Sequence, residues 1–340
     1  MERAVRRSRG RELNVWGRLC GGFLPRLGEA LFTLWLVASV LFVLVHLAPG
    51  DPAAALGGDT QSAQTRAADL ARFGLDTTLT DRYLGWLMAL TRGDLGQSFM
   101  FRAPVSAIIG ERLPVTLALT LPTLALSSLI GILLALWASL RPGAAFDRIT
   151  QGAILLVFAL PVYWVGHLLI QWFALDLRWF PVQGLADLRN PATGGAALLG
   201  ERIRHLTLPI AALVTQQLAL VWLVTRAGLD EARAQPHFRT ALAKGLSTGA
   251  ALRRHALPQT GLALATVIGA RTGALLTSAT LVETVFGLPG MGRLMVSASL
   301  ARDYPLVLGI LLVAVALTLL ANALTDLVYR LLDPRIARTS

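Results

Sequence analysis

The amino-acid sequence offers few side chains for catalysis or metal binding. The single lysine, Lys244, is followed by Gly245, whereas a phosphate-binding P-loop needs a glycine before its lysine and a serine or threonine after it. Cys20 is the only cysteine, which excludes an internal disulfide and any metal site built from several cysteines. The five histidines do not have the spacing of metal ligands. These residue types predict no catalytic site and no metal site in this chain.

A second group of candidates consists of polar residues inside long apolar segments. Arg271 is such a residue, and charges at membrane depth usually face the protein interior or an aqueous cavity. Arg271 is predicted either to line a transport path or to form an ion pair with an acid of this chain or a partner chain. Gln216 and Gln217 are predicted either to line a polar path or to bond a neighbouring helix. Gly269 and Gly273 have the spacing that lets two helices approach closely, which favours packing over gating.

Other candidates border the apolar segments. Glu283 precedes the turn Pro289–Gly290, and an irregular loop at this depth is tolerated where protein or a water-filled path covers it. This region is predicted either to form an external gate or docking surface, or to be a structural re-entrant turn. The remaining candidates for a path or gate are Phe286, Arg302, Asp303, Asn322 and Asp326.

Two of these candidate pairs have alternative structural roles. Arg302 and Asp303 are neighbours of opposite charge, and a local ion pair is predicted for them. Asn322 and Asp326 are four residues apart and would share one face of a helix. Interhelical hydrogen bonding is therefore the favoured role of this second pair.

The elements that must position these residues are membrane-spanning helices. The 340 residues are 54% hydrophobic and 15% charged, with a mean hydropathy of +0.60, whereas a soluble chain is about 25% charged. A bilayer core requires about 20 apolar residues in a helix. Helices are expected because hydrocarbon offers no partner for an unpaired backbone group. Six segments meet this requirement: 29–48, 114–138, 152–175, 206–225, 261–282 and 306–325.

The placement of the charge decides what the formal net charge of +11 means. Eighteen basic residues fall on the side of the membrane that holds both termini, and twelve fall on the other side. Basic residues concentrate in cytoplasmic loops, so both termini are predicted to be cytoplasmic. The net charge is thus mainly a topology signal, and nucleic-acid binding is not expected.

These segments divide the chain into parts. Residues 1–28 form a basic cytoplasmic N-terminus before an uncleaved first span, and 49–111 form an external segment with short helices. Residues 112–329 form the membrane domain, which includes a cytoplasmic loop at 226–260. Residues 330–340 form a cytoplasmic tail.

The cytoplasmic loop has the pattern of a helix, a turn and a second helix. Arg239–Lys244 is a good helix former, and Gly245 permits the positive φ of a helix end. Either Ser247 or Thr248 can cap a second helix, which is predicted to run to His255 and to meet Pro258. Such a pair either docks into a groove on a partner or merely closes the loop.

The same stretch resembles the loop of ABC importer permeases, in which nine residues separate a glycine from a hydrophobic-x-Leu-Pro sequence. Gly245 and His255-Ala256-Leu257-Pro258 have that spacing, and Ala241–Gly245 is similar to the Ala-Arg-Ala-Lys-Gly of the peptide and nickel branch, with Leu242 in place of arginine. In that family the loop carries a coupling helix that fits into the ATPase subunit. The resemblance thus implies ATPase coupling by Arg239, Thr240, Ala241, Ala243, Lys244, Gly245, His255, Leu257 and Pro258.

The rest of the chain resembles the same branch from about residue 26 to residue 336. The matching motifs are Pro49–Pro52, Phe73–Asp76, Arg92–Phe99, Pro104-Val105, Glu283–Arg293, Arg302–Pro305, Asn322, Asp326, Tyr329 and Asp333–Arg335. Together they resemble the first of two paired permeases of dipeptide, oligopeptide and nickel importers.

This resemblance implies an all-α integral membrane protein with six transmembrane helices, of the type I ABC importer fold, in a bacterial or archaeal plasma membrane. It implies a second homologous permease subunit, two cytoplasmic ATPase subunits that bind ATP-Mg, and an external solute-binding protein. The chain itself would bind no cofactor, carry out no catalysis and form half of the pathway.

Two other classes of function were weighed against this interpretation. A stand-alone secondary transporter predicts coupling carboxylates within the spans, but Glu29, Glu283 and Asp326 lie at span edges. A membrane-embedded protease requires a serine–histidine or carboxylate pair at the midplane, and no convincing pair is present. The solute stays open among peptides, nickel chelates, opines and glutathione-like molecules.

Overall fold

The computed structural model describes residues 23–47, 78–187 and 194–332, and in these residues the regular structure is helical. The only strand-like pairing among them is an isolated bridge between Gln97 and Pro104. This confirms the predicted all-α class. The helices are α1 (Phe23–Leu47), α2 (Leu79–Thr91), α3 (Val105–Leu140), α4 (Ala145–Ala159), α5 (Val162–Leu169), α6 (Gly195–Ala234), α7 (Pro236–Ala243), α8 (Thr248–Ala251), α9 (Leu257–Val285), α10 (Met291–Leu300) and α11 (Tyr304–Leu332).

Several sequence predictions fall outside the described residues. They concern most of the N-terminal segment 1–28, the first part of the external segment with its motifs Pro49–Pro52 and Phe73–Asp76, and most of the tail 330–340. For the external segment, the described part contains α2 and the turn that leads to α3.

Four helical stretches are long and apolar enough to cross a bilayer: Val105–Leu140, Gly195–Ala234, Thr248–Val285 and Tyr304–Tyr329. They contain four of the six predicted spans, and each extends beyond the predicted bounds. A bent pair, α4 with α5, can supply a fifth span, and α1 is apolar over the shorter stretch Gly28–Leu44. The count of six spans therefore stays a prediction.

The predicted span 152–175 is not one straight helix. Its two parts, α4 and α5, meet at an angle of 103°. Pro161 lacks an N–H donor and disfavours helical geometry in the residue before it, and Leu160 has the extended angles φ −82° and ψ 134°. The α5 helix then ends in a π-helical turn, Ile170–Asp176. The bend arises at a proline that the hydropathy pattern alone does not take into account.

The centre of the bundle consists of α3, α6 and α9. Buried apolar side chains from all three meet in one cluster, which includes Leu119 of α3, Leu213 of α6 and Leu275 of α9. α3 and α6 also approach closely at Gly131, where an added Cβ would lie 2.9 Å from Cγ1 of Val221. α6 is thus held between the two helices that flank it.

α9 and α11 pack through the two glycines that the sequence singled out. A Cβ at Gly269 would overlap the hydroxyl, methyl and Cβ of Thr325, whereas a Cβ at Gly273 would lie at an ordinary 3.4 Å from the methyl of Thr318. Gly269 therefore permits a backbone approach that no other residue allows, which supports the packing role.

We expect Gly269→Ala to destabilise the contact between α9 and α11. Since the whole Thr325 side chain would have to move, the free energy of unfolding should fall by about 1–3 kcal/mol. Gly273→Ala is the matched control, because the same added methyl group meets only ordinary van der Waals contact. Unfolding of both detergent-solubilised variants by denaturant measures the difference, and equal stabilities would contradict the packing.

Candidate functional site

A pocket in the middle of the bundle brings together candidates from two helices. Arg271 lies at the middle of α9, and Gln216 and Gln217 lie near the middle of α6. Together with Ser278 they form the polar part of a pocket of about 250 Å³. Its apolar wall consists of Phe158, Leu213, Leu220, Ala274 and Leu275.

The polar groups of this pocket lack partners in the part of the chain that the structure describes. No described residue forms an ion pair with Arg271, and no carboxylate lines the pocket. Gln217 is only 6% exposed, and its Nε2 donates no hydrogen bond to any described residue. Within these residues, an acid of this chain is therefore not the partner of Arg271.

The α7–α8 segment (Pro236–Ala251) has the geometry that its sequence predicts. Pro236 occupies the first turn of α7, and Gly245 adopts a φ of +86° just after its end. The Oγ of Ser247 accepts a hydrogen bond from the N–H of Ala250 at 3.3 Å and caps α8. The predicted helix, glycine turn and second helix are confirmed.

The second half of this segment differs from the prediction at its end. α8 does not stop at His255 but continues through a π-helical turn, Leu252–Ala256, into α9. Pro258 lies in the first turn of α9, where its missing N–H breaks no helical hydrogen bond. The segment is therefore joined to α9 without an intervening loop.

The α7–α8 segment buries one face against the bundle and leaves the other exposed. Its buried residues, among them Phe238, Ala241 and Leu252, pack with Leu229 of α6 and with Leu136 of α3. The exposed candidates on this segment and just after it are Arg239, Thr240, Ala243, Lys244, Gly245, His255 and Pro258, whereas Leu257 is partly buried and Ala241 is buried. Ala241 thus anchors the segment and cannot itself contact a partner.

A charged cluster that sequence analysis missed lies beneath this segment. Arg226 of α6 forms an ion pair with Asp147 of α4 at 3.2 Å and a hydrogen bond with Ser139 of α3. Asp147 also accepts the N–H of Gly143 at 2.8 Å. The cluster joins three helices near the α7–α8 segment. The one feature of the sequence that could have indicated this cluster is Asp230, which lies four residues after Arg226. Its Oδ2 is 3.4 Å from the Nε of Arg226.

Glu283 holds the turn that follows α9. Its side chain is fully buried; Oε1 accepts the hydroxyl of Thr116 at 2.7 Å, and Oε2 accepts the N–H of Arg293 at 3.0 Å. The Thr116 hydroxyl oxygen accepts the N–H of Met291 at 2.9 Å. A Cβ at Gly290 would overlap the Glu283 carboxyl group. This geometry fits the structural-turn alternative and leaves Glu283 out of reach of a docking protein.

Asp303 links the segment before α3, which contains Ser98 and Met100, to the start of α11. Its buried carboxylate accepts the hydroxyl of Ser98 at 2.5 Å, the N–H of Met100 at 3.0 Å and the N–H of Leu306 at 3.3 Å. Arg302 is exposed with a φ of +54° and forms no ion pair with a described residue. The predicted ion pair between Arg302 and Asp303 is wrong, because the carboxylate instead caps α11 and binds the preceding turn.

Comparison with models of known protein families shows to which family this chain belongs. Residues 127–338 match the family model described as binding-protein-dependent transport system inner membrane component. Residues 22–120 match the model for the N-terminal part of the same kind of membrane component. The chain belongs to this permease family.

Individual relatives cover almost the whole permease. A probable peptide ABC transporter permease protein, y4tP of Sinorhizobium fredii, is 36% identical over 313 residues, which are 92% of this chain and 98% of the relative. The di/tripeptide transport system permease protein DppB of Pseudomonas aeruginosa is 36% identical over 326 residues, at 92% and 97% coverage. The resemblance stated from the motifs is thereby confirmed.

A solved structure supports the fold of the permease. The inward-facing MetNI methionine ABC transporter superposes on 67% of this chain and 97% of its own chain, with a TM-score of 0.54 and 15% identity. At this identity the similarity concerns the fold alone. The family match and the named relatives show that this chain is a non-catalytic membrane subunit of an ABC transport system, located in the inner membrane, and not a stand-alone transporter.

None of the remaining candidates lines the pocket of this permease. Phe286 is buried in the cluster at the centre of the bundle, and Pro289 lies in the turn that Glu283 holds. Asn322 is exposed and Asp326 is partly buried on α11. The structure therefore brings Gln216 and Arg271 together in the pocket, and it brings Glu283, Pro289 and Gly290 together in the turn after α9. Arg302, Asp303, Asn322 and Asp326 do not line the pocket.

One sequence pattern that sequence analysis missed has a structural explanation in the permease. Gly245–Gly249 has the spacing Gly-x-Ser-x-Gly of a nucleophile elbow. Such an elbow joins a strand to a helix, whereas here it joins two helices, and Ser247 caps the second of them. The described residues contain no group of three potential metal ligands.

Proposed function

We propose that this permease forms half of a translocation path for peptides or a related small solute. Its relatives carry peptide transport in their names, and the motifs resemble the first of two paired permeases. In this proposal a second related permease forms the other half, two ATPase subunits bind ATP-Mg, and an external binding protein delivers the solute.

One observation carries the coupling part of the proposal. The helices α6 and α9 hold the exposed α7–α8 segment at one end and the pocket of Arg271 in the middle. Because the segment is packed on α6 and continues into α9, a displacement of the segment moves the helices that line the pocket. ATPase subunits that close on ATP would move the exposed residues of the segment and rock the spans between two orientations.

The proposed orientation places both termini and the α7–α8 segment in the cytoplasm and residues 49–111 outside. The basic residues support it, since they concentrate on the side that holds the termini. The domain bounds of 1–28, 112–329 and 330–340 remain part of this proposal.

Cys20 permits a direct test of this orientation, because it is the only cysteine. A membrane-impermeant maleimide should label Cys20 in inverted membrane vesicles and leave it unlabelled in intact cells. The control is Arg92→Cys in a Cys20→Ser background, which places the only cysteine at an exposed position after α2 and should show the opposite pattern. Labelling of Cys20 from outside intact cells would overturn the orientation.

Transport in proteoliposomes tests the proposed solute class. The permease, its partner permease and both ATPase subunits are reconstituted together in proteoliposomes. The binding protein and radiolabelled dialanine are added on the side opposite the ATPase subunits, and ATP is supplied on the ATPase side. We expect accumulation of dialanine that requires both ATP and the binding protein. An absence of accumulation would contradict the assignment of small peptides as the solute.

A further inference from the structure

The pocket of Arg271 contains a positively charged side chain at the middle of a membrane helix, where charges are unusual. A cation at the middle of a membrane helix is costly unless it faces a partner or an aqueous cavity. Arg271 has a cavity but, among the described residues, no acid. Gln217 adds an amide nitrogen that is buried and without an acceptor. Two side chains from two helices thus offer unused hydrogen-bond donors to one space.

We propose that this pocket binds a carboxylate of the transported solute while the solute crosses the membrane. Arg271 binds the carboxylate as an ion, and Gln217 donates a hydrogen bond to it. This inference rests on the function proposed above and adds the chemical group that the path recognises.

The donors favour a carboxylate over a neutral or cationic group. A guanidinium presents several N–H donors in a planar fork that matches the two oxygens of a carboxylate, and it accepts no hydrogen bond. An ammonium group of a solute would be repelled by Arg271, and a neutral amide would leave its charge unpaired. A charge-assisted hydrogen bond is about twice as strong as a neutral one.

The size of the pocket fits one end of a solute. Its volume of about 250 Å³ lies below the range of about 300–1,000 Å³ that is typical for sites enclosing a whole drug-sized ligand. The pocket wall next to the donors is apolar, with Phe158 and Leu213 among its residues. A terminal residue with its carboxylate therefore fits, with the side chain of that residue against the apolar wall.

The test compares dialanine with its C-terminal amide in the complete reconstituted transporter. Initial rates of ATP-driven uptake are measured at peptide concentrations that saturate the binding protein, for the wild type, Arg271→Gln and Arg178→Gln. Arg178 is exposed and lies outside the pocket, so its variant controls for the loss of one arginine. Co-purification of all subunits and ATPase activity show that each variant assembles.

We expect Arg271→Gln to lower uptake of dialanine about tenfold or more and uptake of the amide by less than about twofold, because only the free acid loses a charge-assisted bond. Arg178→Gln should change neither rate. An equal loss for both peptides would overturn the inference and assign Arg271 to an acid of the second permease or to structure. Unchanged rates for both peptides would overturn it as well.

A second variant keeps the inference testable if Arg271→Gln fails to assemble. Gln217→Glu places a fixed carboxylate in the same pocket as Arg271, where it should occupy the site and lower dialanine uptake about tenfold. Unchanged uptake in this variant would overturn the inference. Failure of the wild type to take up either peptide is a different result, because it removes the peptide assignment itself.

Discussion

Replacing Gly245 by valine is expected to lower transport strongly while the membrane helices remain inserted. Gly245 has a φ of +86° at the turn between α7 and α8, and no atom lies within 4 Å of the position of an added Cβ. The effect must therefore come from the backbone, since a left-handed conformation costs an L-residue about 1–2 kcal/mol and a β-branched residue more. Relief of this strain would reorient α7, and uptake should fall at least about tenfold.

The measurement is co-purification of the ATPase subunits together with ATP-driven uptake. Gly93→Val is the matched control, because Gly93 has a φ of +77° and equally open surroundings but follows α2, at a turn outside the α7–α8 segment. We expect the control to retain its ATPase subunits. Normal transport by Gly245→Val would contradict the coupling role of this segment.

Replacing Glu283 by glutamine is expected to destabilise the turn after α9 strongly. Both carboxylate oxygens accept hydrogen bonds, from the hydroxyl of Thr116 and the N–H of Arg293. A glutamine would aim an N–H₂ group at one of these donors and leave it without an acceptor in a fully buried position. The free energy of unfolding should fall by about 2–4 kcal/mol.

Thr116 supplies matched variants for this prediction. Thr116→Ser keeps the hydroxyl that donates to Glu283 and accepts from the N–H of Met291, so its stability should stay near that of the wild type. Thr116→Val has nearly the same shape but neither hydrogen bond, and it should behave like Glu283→Gln. Denaturant unfolding of the three variants measures the effects. Equal stability of Glu283→Gln and the wild type would contradict the role of the carboxylate in holding the turn.

The parts of the structure that the sequence predicted correctly depend on local signals. Gly245 and Ser247 act within one or two helical turns, through a permitted positive φ and a side-chain cap. Long apolar segments similarly predicted the helices that cross the bundle. The bend at Pro161 had a local signal too, but hydropathy alone placed a straight helix across it.

The parts that the sequence did not predict depend on contacts between distant residues. The sequence shows that Asp303 is next to Arg302 but not that Ser98 donates a buried hydroxyl to its carboxylate. It shows equally that Arg226 lies near Asp230 but not that Asp147 of another helix is closer. The pocket required knowing which faces of α6 and α9 meet, and a single sequence does not contain that information.

The central claim is that the chain is the membrane half of an importer whose energy comes from ATPase subunits on other chains. The most direct test is dialanine uptake in proteoliposomes that contain both permeases and the binding protein, with and without the ATPase subunits. The account predicts ATP-driven accumulation with the ATPase subunits and none without them. Accumulation that survives the removal of every ATPase subunit would contradict the account.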